Sequence, residues 1–578
     1  MAQRSPKSSP PISQRVHKAS QFPKTPRTQP RNSTQRHVTS IQRRILVGMA
    51  IFSIILLLLA GNHITSVDGA GGKDGQQPLG SAKGEEAYKK ACPDYAHYAI
   101  FPHRPWSDGP LRLPYQRPSA HCRTFHSPMV EKVIEDITSR MKDKDLARLF
   151  ENAFPNTLDT TIRWHVDGTG KRKHKHGTET WGHWEGAQSF VVTGDINAEW
   201  LRDSTNQLLQ YQGLAKKEKK LENLILGAIN TQVEFVIESP YCNAFQPPPP
   251  SHQLPVSNGQ EDRVHPASEP TRVFECKWEV DSLAHFLALG NQFHESTGSK
   301  AFLHDRYYLA LETILEVLSQ QSKPTFDPET GKFERNEYTF QRTTSSATET
   351  LNLGGIGNPL ANGTGLIRSA FRPSDDATVL QFLIPSNAQM AVELRRTAAI
   401  VVGVGKSKIA STLMDRANSI EAGIWEHGVV THRKYGEVFA FEVDGYGSAM
   451  LMDDANIPSL LALPLLGFCD TDNKIYQNTR RMILEKAGNP YYLTGRGFEG
   501  IGGPHIGLRN AWPMSRLVQA MTSDDDQEIE DALNAVRGSS KLGLVHESIN
   551  VERVTDYTRK LIVDSYLLGG LSGANRRL

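Results

Sequence analysis

Two adjacent carboxylates, Asp375 and Asp376, have the residue types and spacing that proton-transfer chemistry requires. They follow Arg372 and Pro373, and an apolar run begins shortly afterwards at Val379. Carboxyl groups this close to each other and to an apolar wall do not share one pKa, so one can hold a proton while its neighbour is ionised. A protonated carboxyl group of this kind can donate its proton near neutral pH. The segment is therefore a candidate for acid catalysis.

The same residues also fit the start of a helix. Ser374 is a good N-cap residue, and Asp375 and Asp376 would then lie in a first turn where the helix dipole favours negative charge. The apolar spacing predicts that this helix covers residues 376–402. The two interpretations are compatible, because a helix N-terminus is a suitable place for a catalytic acid.

Four further segments combine carboxylates, Arg or His, aromatic residues, and Gly or Pro. In a glycosidase pocket, carboxylates bind sugar hydroxyls, aromatic rings cover the C–H faces of the sugar, and one or two acids transfer protons. Each segment alone also fits a cap or a turn, but five such segments in one chain favour a glycosidase site. The four segments are residues 199–204, 441–447 with 452–456, 502–512, and 544–548.

Helices must position these segments, because apolar residues recur at helical spacing through most of the chain. Repeated pairs of long helices with functional loops between them predict an α/α arrangement. No short linker divides residues 86–578, so we expect one large domain. The predicted helices are 127–154, 198–214, 219–238, 278–297, 301–320, 376–402, 406–429, 455–466, 472–485, 513–521 and 525–536, the last with Ser523 as a candidate N-cap.

The first 85 residues have a different character. Residues 1–44 carry ten Lys or Arg and no acidic residue, which predicts a disordered cytosolic tail. Residues 45–61 are uncharged and apolar, long enough to span a bilayer as a signal anchor, and residues 62–85 read as a stem. Arg43 and Arg44 place the tail in the cytosol, so the protein is expected to be a single-pass type II membrane protein of the secretory pathway (Golgi or ER) with a lumenal catalytic domain. A cleaved signal peptide is the alternative.

Residues 45–578 are mildly acidic, with 55 Lys or Arg against 63 Asp or Glu, so no nucleic-acid partner is expected. The spacing of the five cysteines matches no zinc template. They are therefore available to form disulfides, as in proteins of an oxidising compartment. Cys469 lies in an apolar run and is expected to be a buried free thiol. Asn362 begins an Asn-Gly-Thr glycosylation sequon. Two pairs of cysteines could form disulfides, Cys92 with Cys122 and Cys242 with Cys276.

Three other motifs carry little weight. Residues 495–500 match G-x-G-x-x-G, but a loop follows where a dinucleotide site needs a helix. Residues 403–407 resemble a phosphate loop that lacks its first glycine, and a connection between helices is the better interpretation. Residues 171–176 with His183 are rich in histidine, but their flanking cations favour a solvated loop over a metal site.

Taken together, the segments at 200–204, 372–377, 453–456, 503–505 and 546–548 resemble glycoside hydrolase family 125. The resemblance extends from about residue 93 to about residue 559. It implies a mainly α, (α/α)6 toroid catalytic domain and a metal-independent exo-α-1,6-mannosidase that acts with inversion. The expected substrate is terminal mannose on glycoprotein glycans or mannan, and no cofactor or metal is expected.

The resemblance also implies roles for individual residues. It places the general acid in the 372–377 segment, with Asp375 favoured and Asp376 as the alternative, and the general base at Glu547. Inversion requires the two carboxyl groups to be about 6.5–9.5 Å apart, so that a water fits between one of them and the sugar. The expected substrate-binding residues are Arg202, Asp203, Arg372, Asn387, Asp444, Asp454, His505, Arg509 and Asn510.

The sequence departs from the family after Arg559. The family has an aromatic-rich final helix there, whereas this chain ends in Gly- and Arg-rich residues without tryptophan. An incomplete last helix would loosen the position of Glu547.

The alternatives to an α-1,6-mannosidase are a related (α/α)6 glycosidase of other linkage preference, a catalytically inactive glycan-binding protein and, more distantly, a nucleotide-dependent transferase.

Overall fold

Long helices with apolar faces build most of the described part of the chain. A computed structural model describes residues 92–169, 184 and 186–558, which all belong to one compact unit, Glu86–Leu578. The mainly helical class predicted from the sequence is confirmed. Within the described residues, the helices of nine residues or more are α1 (Pro128–Arg140), α2 (Lys144–Ala153), α3 (Leu201–Leu209), α4 (Lys219–Glu238), α5 (Val280–Thr297), α6 (Asp305–Gln321), α7 (Ile384–Val402), α8 (Ser407–Gly423), α9 (Lys474–Ile483), α10 (Pro513–Met521) and α11 (Asp526–Ser539).

The helices pack in pairs around a common apolar core. Helix α7 packs on α8 and on α5, α5 also packs on α3 and α4, α6 packs on α4, and α10 packs on α11. Helices α4, α5 and α7 are buried over most of their length, as expected for helices that lie inside a fold. The shorter helical turns are Tyr95–Tyr98, Ala120–Cys122, Asn156–Thr160, Gln212–Ala215, Pro249–Ser251, Ala347–Glu349, Asn352–Gly355, the π-helical Ile424–Gly428, and Leu463–Leu466.

Short antiparallel strands occupy the connections between helices and carry most of the polar segments. The described strands are β1 (Ile162–Val166), β2 (Gln188–Val191), β3 (Glu199–Trp200), β4 (Ala244–Phe245), β5 (Asp262–His265), β6 (Val273–Glu275), β7 (Thr339–Arg342), β8 (Phe382–Leu383), β9 (Val429–His432), β10 (Gly436–Phe439), β11 (Glu442–Val443), β12 (Ala449–Met450), β13 (Tyr492–Thr494), β14 (Glu499–Ile501), β15 (Asn510–Ala511), β16 (Ser548–Asn550) and β17 (Tyr557–Thr558). They form small sheets of two or three strands, in the orders β1-β2, β3-β4-β6, β5-β7, β8-β11-β12, β9-β10, β13-β14 and β15-β16-β17.

Local capping explains where two of the predicted helices differ from the structure. The single helix predicted over 127–154 is two helices, because Met141 is extended and Asp143 caps α2 by accepting from the backbone N–H groups of Asp145 and Leu146. The N-cap of α11 is Asp525 and not Ser523, since the Asp525 carboxylate accepts from two N–H groups of the first turn.

Two further predicted helices begin later in the structure than the sequence predicted, because loops replace their first residues. Helix α7 begins at Ile384 and not at residue 376, so residues 376–383 are not helical. The helix predicted over 455–466 is reduced to the turn Leu463–Leu466. Its first part is a loop because the buried Asp453 carboxylate accepts from the backbone N–H groups of Leu460 and Leu461.

Several other expectations from the sequence have outcomes in the fold. Both predicted disulfides form, and Cys469 is a partly buried free thiol. The glycines of residues 495–500 connect β13 to β14 in a hairpin, so they do not form a dinucleotide site. Residues 403–406 join α7 to α8.

Some predictions fall outside the described residues. They concern the tail, anchor and stem (1–85), the basic segment 171–176 with His183, and the chain from residue 559 onward. Among the helices that are described, none is both long and apolar enough to cross a membrane.

Candidate active site

The two adjacent aspartates lie at the tip of a tight hairpin and not in a helix. Phe371 and Ala377 pair across this hairpin, and the Arg372 N–H donates to the Asp376 carbonyl at 2.8 Å. The Asp375 N–H donates to the Arg372 carbonyl at 3.0 Å, and Asp375 has a φ of 70°. A non-glycine residue in this left-handed region is uncommon and strained, a feature found at functional sites. We call residues 371–377 the acid hairpin.

Glu442 holds the base of the acid hairpin from the neighbouring strand β11. Its side chain is fully buried and accepts from the Arg372 guanidinium at 2.6 Å. Its other oxygen accepts from the backbone N–H groups of Val379 and Leu380, both at 2.9 Å. Arg372, which was predicted to bind substrate, is buried in this ion pair, and the pair holds the hairpin in place.

Asp376 faces a second acidic segment. The Ser374 hydroxyl donates to the Asp454 carboxylate at 2.5 Å, and Asp376 lies in the electrostatic range of the same carboxylate. Burial, and then the charge of Asp454, raise the pKa of Asp376 to about 6, against the opposing effect of His505. Burial also raises the pKa of Asp454. The Nδ1 atom of His505 is 4.0 Å from the Asp376 carboxylate.

Asp375 points toward a different group of charges. The Lys277 ammonium is 3.9 Å from Asp375 and 3.3 Å from Glu275, and it is almost completely buried. The Lys277 ammonium also lies over the Phe371 ring, 5.3 Å from the ring centroid. Asp375 itself is 32% exposed, whereas Asp376 is 1% exposed. Asp375 is thus the aspartate of the pair that a ligand can reach directly.

Arg202 and Asp203 begin helix α3 beside this group. The Arg202 guanidinium donates to Glu279 at 2.7 Å and to Asp281 at 3.2 Å, and both carboxylates are fully buried. The charge of Asp375 also acts on Arg202. Burial raises the pKa of Glu279 well above its ordinary value, although Arg202 opposes this. Asp203 is 38% exposed at the side chain, which leaves it open to a ligand.

Glu547 lies next to the sheet β15-β16-β17, immediately before β16. Its side chain is half-buried and accepts from the Thr558 hydroxyl at 3.1 Å. The Asn510 amide donates to the Ser548 hydroxyl at 3.0 Å, one residue after Glu547. The His546 ring stacks on Tyr557 with 3.7 Å between ring centroids. These contacts position Glu547 from both sides of its strand.

One segment, residues 502–510, connects the surroundings of Asp376 with those of Glu547. At its start, Gly503 passes so close to Asp454 that a Cβ on it would be 3.1 Å from the carboxylate. His505 approaches Asp376, and at the end of the segment Asn510 contacts Ser548. Arg509 is exposed, and its carbonyl accepts from the Val551 N–H at 2.9 Å. One loop therefore approaches the acid hairpin at Asp376 and contacts Ser548, the residue that follows Glu547.

Two of the predicted substrate-binding residues make hydrogen bonds to the backbone. Asn387 is fully buried, and its amide bonds the backbone of Ile367 in both directions as well as the Leu383 carbonyl. It therefore holds a loop and offers no free group to a sugar. Asp444 is also buried and accepts from the N–H groups of Tyr446 and Ser448, which closes a turn.

The sequence interpretation missed residues that complete the site. Lys277, Glu279 and Asp281 lie immediately before α5 and in its first turn, a segment that was interpreted as the start of a helix. Its composition, with a tryptophan between charged residues, is the same as that of the segments that were recognised. Tyr491 was missed as well, and its hydroxyl lies within the electrostatic range of Asp376 and Asp454. A single tyrosine outside the acid-rich segments does not indicate a functional site in the sequence.

The described residues offer few places where a metal ion could be held. The grouping with ligand atoms close together is Cys92, His121 and Cys122, but its cysteines are joined in a disulfide. The site chemistry is instead that of carboxyl groups held in different surroundings on separate loops. Such an arrangement can protonate one side of a bond and activate a water on the other.

Comparisons with known proteins agree with this chemistry. The family model described as metal-independent alpha-mannosidase (GH125) matches residues 143–563. The chain is 53% identical over 471 residues to the meiotically up-regulated gene 157 protein of Schizosaccharomyces pombe, covering 81% of this chain and 89% of the relative. A solved structure from Streptococcus pneumoniae, described as a metal-independent alpha mannosidase in a non-productive complex with alpha-1,6-mannobiose, is 30% identical with a TM-score of 0.68. That match covers 78% of this chain and all of the bacterial chain.

Proposed function

We propose, from the membership of this chain in the GH125 family of metal-independent α-mannosidases, that it removes terminal α-1,6-linked mannose with inversion at the anomeric carbon. As a member of that family, the chain is a glycoside hydrolase. The observation that carries the proposal is the loop 502–510, which approaches the acid hairpin at Asp376 and contacts Ser548, the residue that follows Glu547. The α-1,6-mannobiose named for the bacterial relative supports the linkage. The paired packing of the helices supports a complete (α/α)6 toroid.

In the proposed mechanism, Asp375 donates its proton to the glycosidic oxygen while the bond between that oxygen and the anomeric carbon breaks. Glu547 takes a proton from a water whose oxygen attacks the anomeric carbon from the opposite face. The products are β-mannose and the shortened glycan, and both carboxyl groups return to their starting protonation states by proton exchange with solvent. This pathway needs the two carboxyl groups to be about 6.5–9.5 Å apart.

Accessibility favours Asp375 over Asp376 as the donor. A general acid must come within hydrogen-bond distance of the glycosidic oxygen. The Asp375 side chain is 32% exposed with only its Oδ1 atom buried, so its other oxygen can do so, whereas both oxygens of Asp376 are buried. Asp376, with its pKa raised to about 6, remains the alternative donor if the hairpin moves on binding.

The remaining residues of the site have roles that follow from their positions. Arg202 and Asp203 lie on the Asp375 side of the site, and Asp203 is open to sugar hydroxyls. We infer that His505, Arg509 and Asn510, which lie on the connecting loop, bind the mannose. Asp454 acts through Ser374 and Asp376.

We further propose that the enzyme is a type II membrane protein with a lumenal catalytic domain. The apolar run 45–61 after Arg43 and Arg44 supports an anchor, and the two disulfides support an oxidising compartment. Asn362 is exposed, as a glycosylation acceptor must be. The test is the electrophoretic mobility of the Asn362→Gln variant and of the wild type before and after enzymatic removal of N-glycans. A mobility difference supports lumenal exposure, and an identical pattern contradicts glycosylation at this residue.

Proton NMR of α-1,6-mannobiose hydrolysis by the purified protein, with EDTA present, tests the activity. Early appearance of β-mannose, before mutarotation, supports hydrolysis with inversion and without a metal. Early α-mannose would contradict inversion, and loss of activity that returns on adding a divalent cation would contradict metal independence. Absence of hydrolysis alongside measurable mannobiose binding would favour the inactive glycan-binding alternative.

A further inference from the structure

A cavity that opens to the surface lies between Gln246 and residues of the segments 255–264 and 267–276. Its volume is about 520 Å³, and some of its lining residues, such as Gln260 and Ala267, are exposed. A volume of this size falls within the range of about 300–1000 Å³ that small-molecule sites occupy. We call it the side cavity. No group named above as acid, base or mannose-binding residue lines it.

The side cavity shares a wall with the candidate active site. Glu275 lines the cavity and contacts the Lys277 ammonium at 3.3 Å, and that ammonium is 3.9 Å from Asp375. Phe274 also lines the cavity, and its ring packs edge-on against Trp200, two residues before Arg202, with 5.4 Å between centroids. Glu275 and Lys277 therefore link the cavity wall to the proposed proton donor, and Phe274 links it to the segment that carries Arg202.

Its walls are held in one conformation by strong contacts. The Arg342 guanidinium donates to Asp262 twice at 2.7 Å and to Glu275 at 2.9 Å, which ties two walls together. The disulfide between Cys242 and Cys276 fixes a third. The Gln246 amide bonds Val256 in both directions and closes the rim. A preformed cavity loses less entropy on binding than one that must assemble.

The lining chemistry indicates an uncharged, hydroxyl-rich ligand. The polar lining consists of amides and hydroxyls, such as Asn258, Gln260 and Ser268, together with the two carboxylates held by Arg342. Carboxylates and amide oxygens accept hydrogen bonds from hydroxyl groups. Among its lining residues there is no Lys, Arg or His, which disfavours phosphate or another anion.

The proton donor defines which end of the substrate lies here. A general acid touches the oxygen of the leaving group, so the space beside Asp375 is on the leaving-group side of the bond to be cut. We propose that the side cavity binds the neutral oligosaccharide that remains attached to the leaving oxygen, and so selects longer glycans over the disaccharide. This inference rests on the proposed function and on Asp375 as the donor.

The first test compares substrates of two lengths in a variant that fills the cavity. Ala267 lines the cavity, and Ala267→Trp would occupy much of it. Leu254→Trp is the matched control, because Leu254 belongs to the same surface segment, is 83% exposed and does not line the cavity. The measured quantity is kcat/KM for α-1,6-mannobiose and for a manno-oligosaccharide extended at its reducing end.

For Ala267→Trp we expect kcat/KM to fall about tenfold for the oligosaccharide and less than twofold for mannobiose, since a factor of ten is lost with a few hydrogen bonds. Leu254→Trp should leave both values within twofold of wild type. An Ala267→Trp variant with an unchanged value for the oligosaccharide, or with equal losses on both substrates, would overturn the side-cavity proposal.

A second variant tests the proposal even if Ala267→Trp does not fold. Gln260→Ala removes one polar lining group without adding volume, and it should raise KM for the oligosaccharide while leaving kcat on mannobiose unchanged. An unchanged KM for the oligosaccharide in Gln260→Ala, if Ala267→Trp does not fold, would also overturn the proposal. Failure of the proposed function has a different signature, because the wild type would then hydrolyse neither substrate.

Discussion

The Ser374 hydroxyl donates to the Asp454 carboxylate at 2.5 Å, which joins the acid hairpin to a loop 80 residues further along the chain. Asp454 in turn lies against Gly503 and next to Asp376. Three segments that are remote in sequence thus meet around one carboxylate. The positions of both aspartates of the hairpin depend on this junction.

Removing the Ser374 hydroxyl should weaken this junction. In Ser374→Ala, a buried carboxylate loses its hydroxyl donor, so we expect the free energy of unfolding to fall by about 1–3 kcal/mol and kcat to fall with it. Urea unfolding and steady-state kinetics measure the two effects. Ser411→Ala, at an exposed position on helix α8, is the matched control and should behave as wild type. Wild-type stability and kinetics in Ser374→Ala would contradict the assigned role.

The proposed acid and base can be separated by the choice of leaving group. Asp375→Asn and Glu547→Gln should each lower kcat on mannobiose by about 10²–10⁴-fold, because each removes a proton-transfer group. On an aryl α-mannoside with a good leaving group, Asp375→Asn should recover much of its rate, since that bond breaks without protonation. Glu547→Gln should stay impaired on both substrates, because water still needs a base.

Asp376→Asn and Asp470→Asn complete this comparison. Asp470 is an exposed carboxylate away from the site, so its variant should keep wild-type kinetics on both substrates. Asp376→Asn should lose activity without a recovery that depends on the leaving group. If that recovery appears in Asp376→Asn and not in Asp375→Asn, Asp376 is the proton donor.

The ion pair between Arg372 and Glu442 should be essential for the fold of the acid hairpin. Glu442→Gln leaves the Arg372 charge buried without its partner, so we expect the free energy of unfolding to drop by about 3–5 kcal/mol. Thermal and denaturant unfolding of the purified variant measure the loss. Glu437→Gln, on the exposed face of the nearby strand β10, should change stability by less than about 0.5 kcal/mol. Equal stability of the two variants would show that the buried pair does not hold the hairpin.

Full activity should require glycine at position 503, because there is no room for a side chain there. A Cβ at this position would lie 3.1–3.2 Å from the Asp454 carboxylate, so either the carboxylate or the loop must move in Gly503→Ala. Because this loop connects the surroundings of acid and base, we expect kcat/KM to fall about tenfold or more. Gly538→Ala in helix α11, where a Cβ meets nothing within 4 Å, is the control and should keep full activity. Full activity in both variants would contradict the close-approach argument.

The raised pKa of Asp376 predicts how stability depends on pH. Its pKa is 3.8 in the unfolded chain and about 6 in the fold, so the native state favours the protonated form. The resulting stabilisation is complete below about pH 4 and is lost as the pH rises through about 6. Between pH 4 and pH 7.5, the free energy of unfolding of the wild type should therefore fall by on the order of 2–3 kcal/mol relative to that of Asp376→Asn. A difference that does not change with pH would contradict the shifted pKa.

Much of the fold and part of the site could be predicted from the sequence. Helices α4 and α10 begin and end where apolar periodicity placed them, because local spacing and the flanking polar residues act over a few residues only. The helix predicted from residue 376 was wrong, because Ser374 and Asp376 make tertiary contacts that a capping pattern cannot show. Asn387 and Asp444 were predicted as substrate-binding residues because their types fit a pocket, and the backbone hydrogen bonds of the Asn387 amide and of the Asp444 Oδ1 atom became visible only in the fold.

The sequence by itself determined the family, the helical class and the identity of the acidic segments, since these depend on residue types and short spacings. Only the tertiary structure decided that Asp375 is accessible and Asp376 is buried, although the two residues are neighbours. It also decided that Lys277, Glu279 and Asp454 surround them. Burial and the charges of distant segments set the chemistry of a carboxyl group, and neither is written in its local sequence.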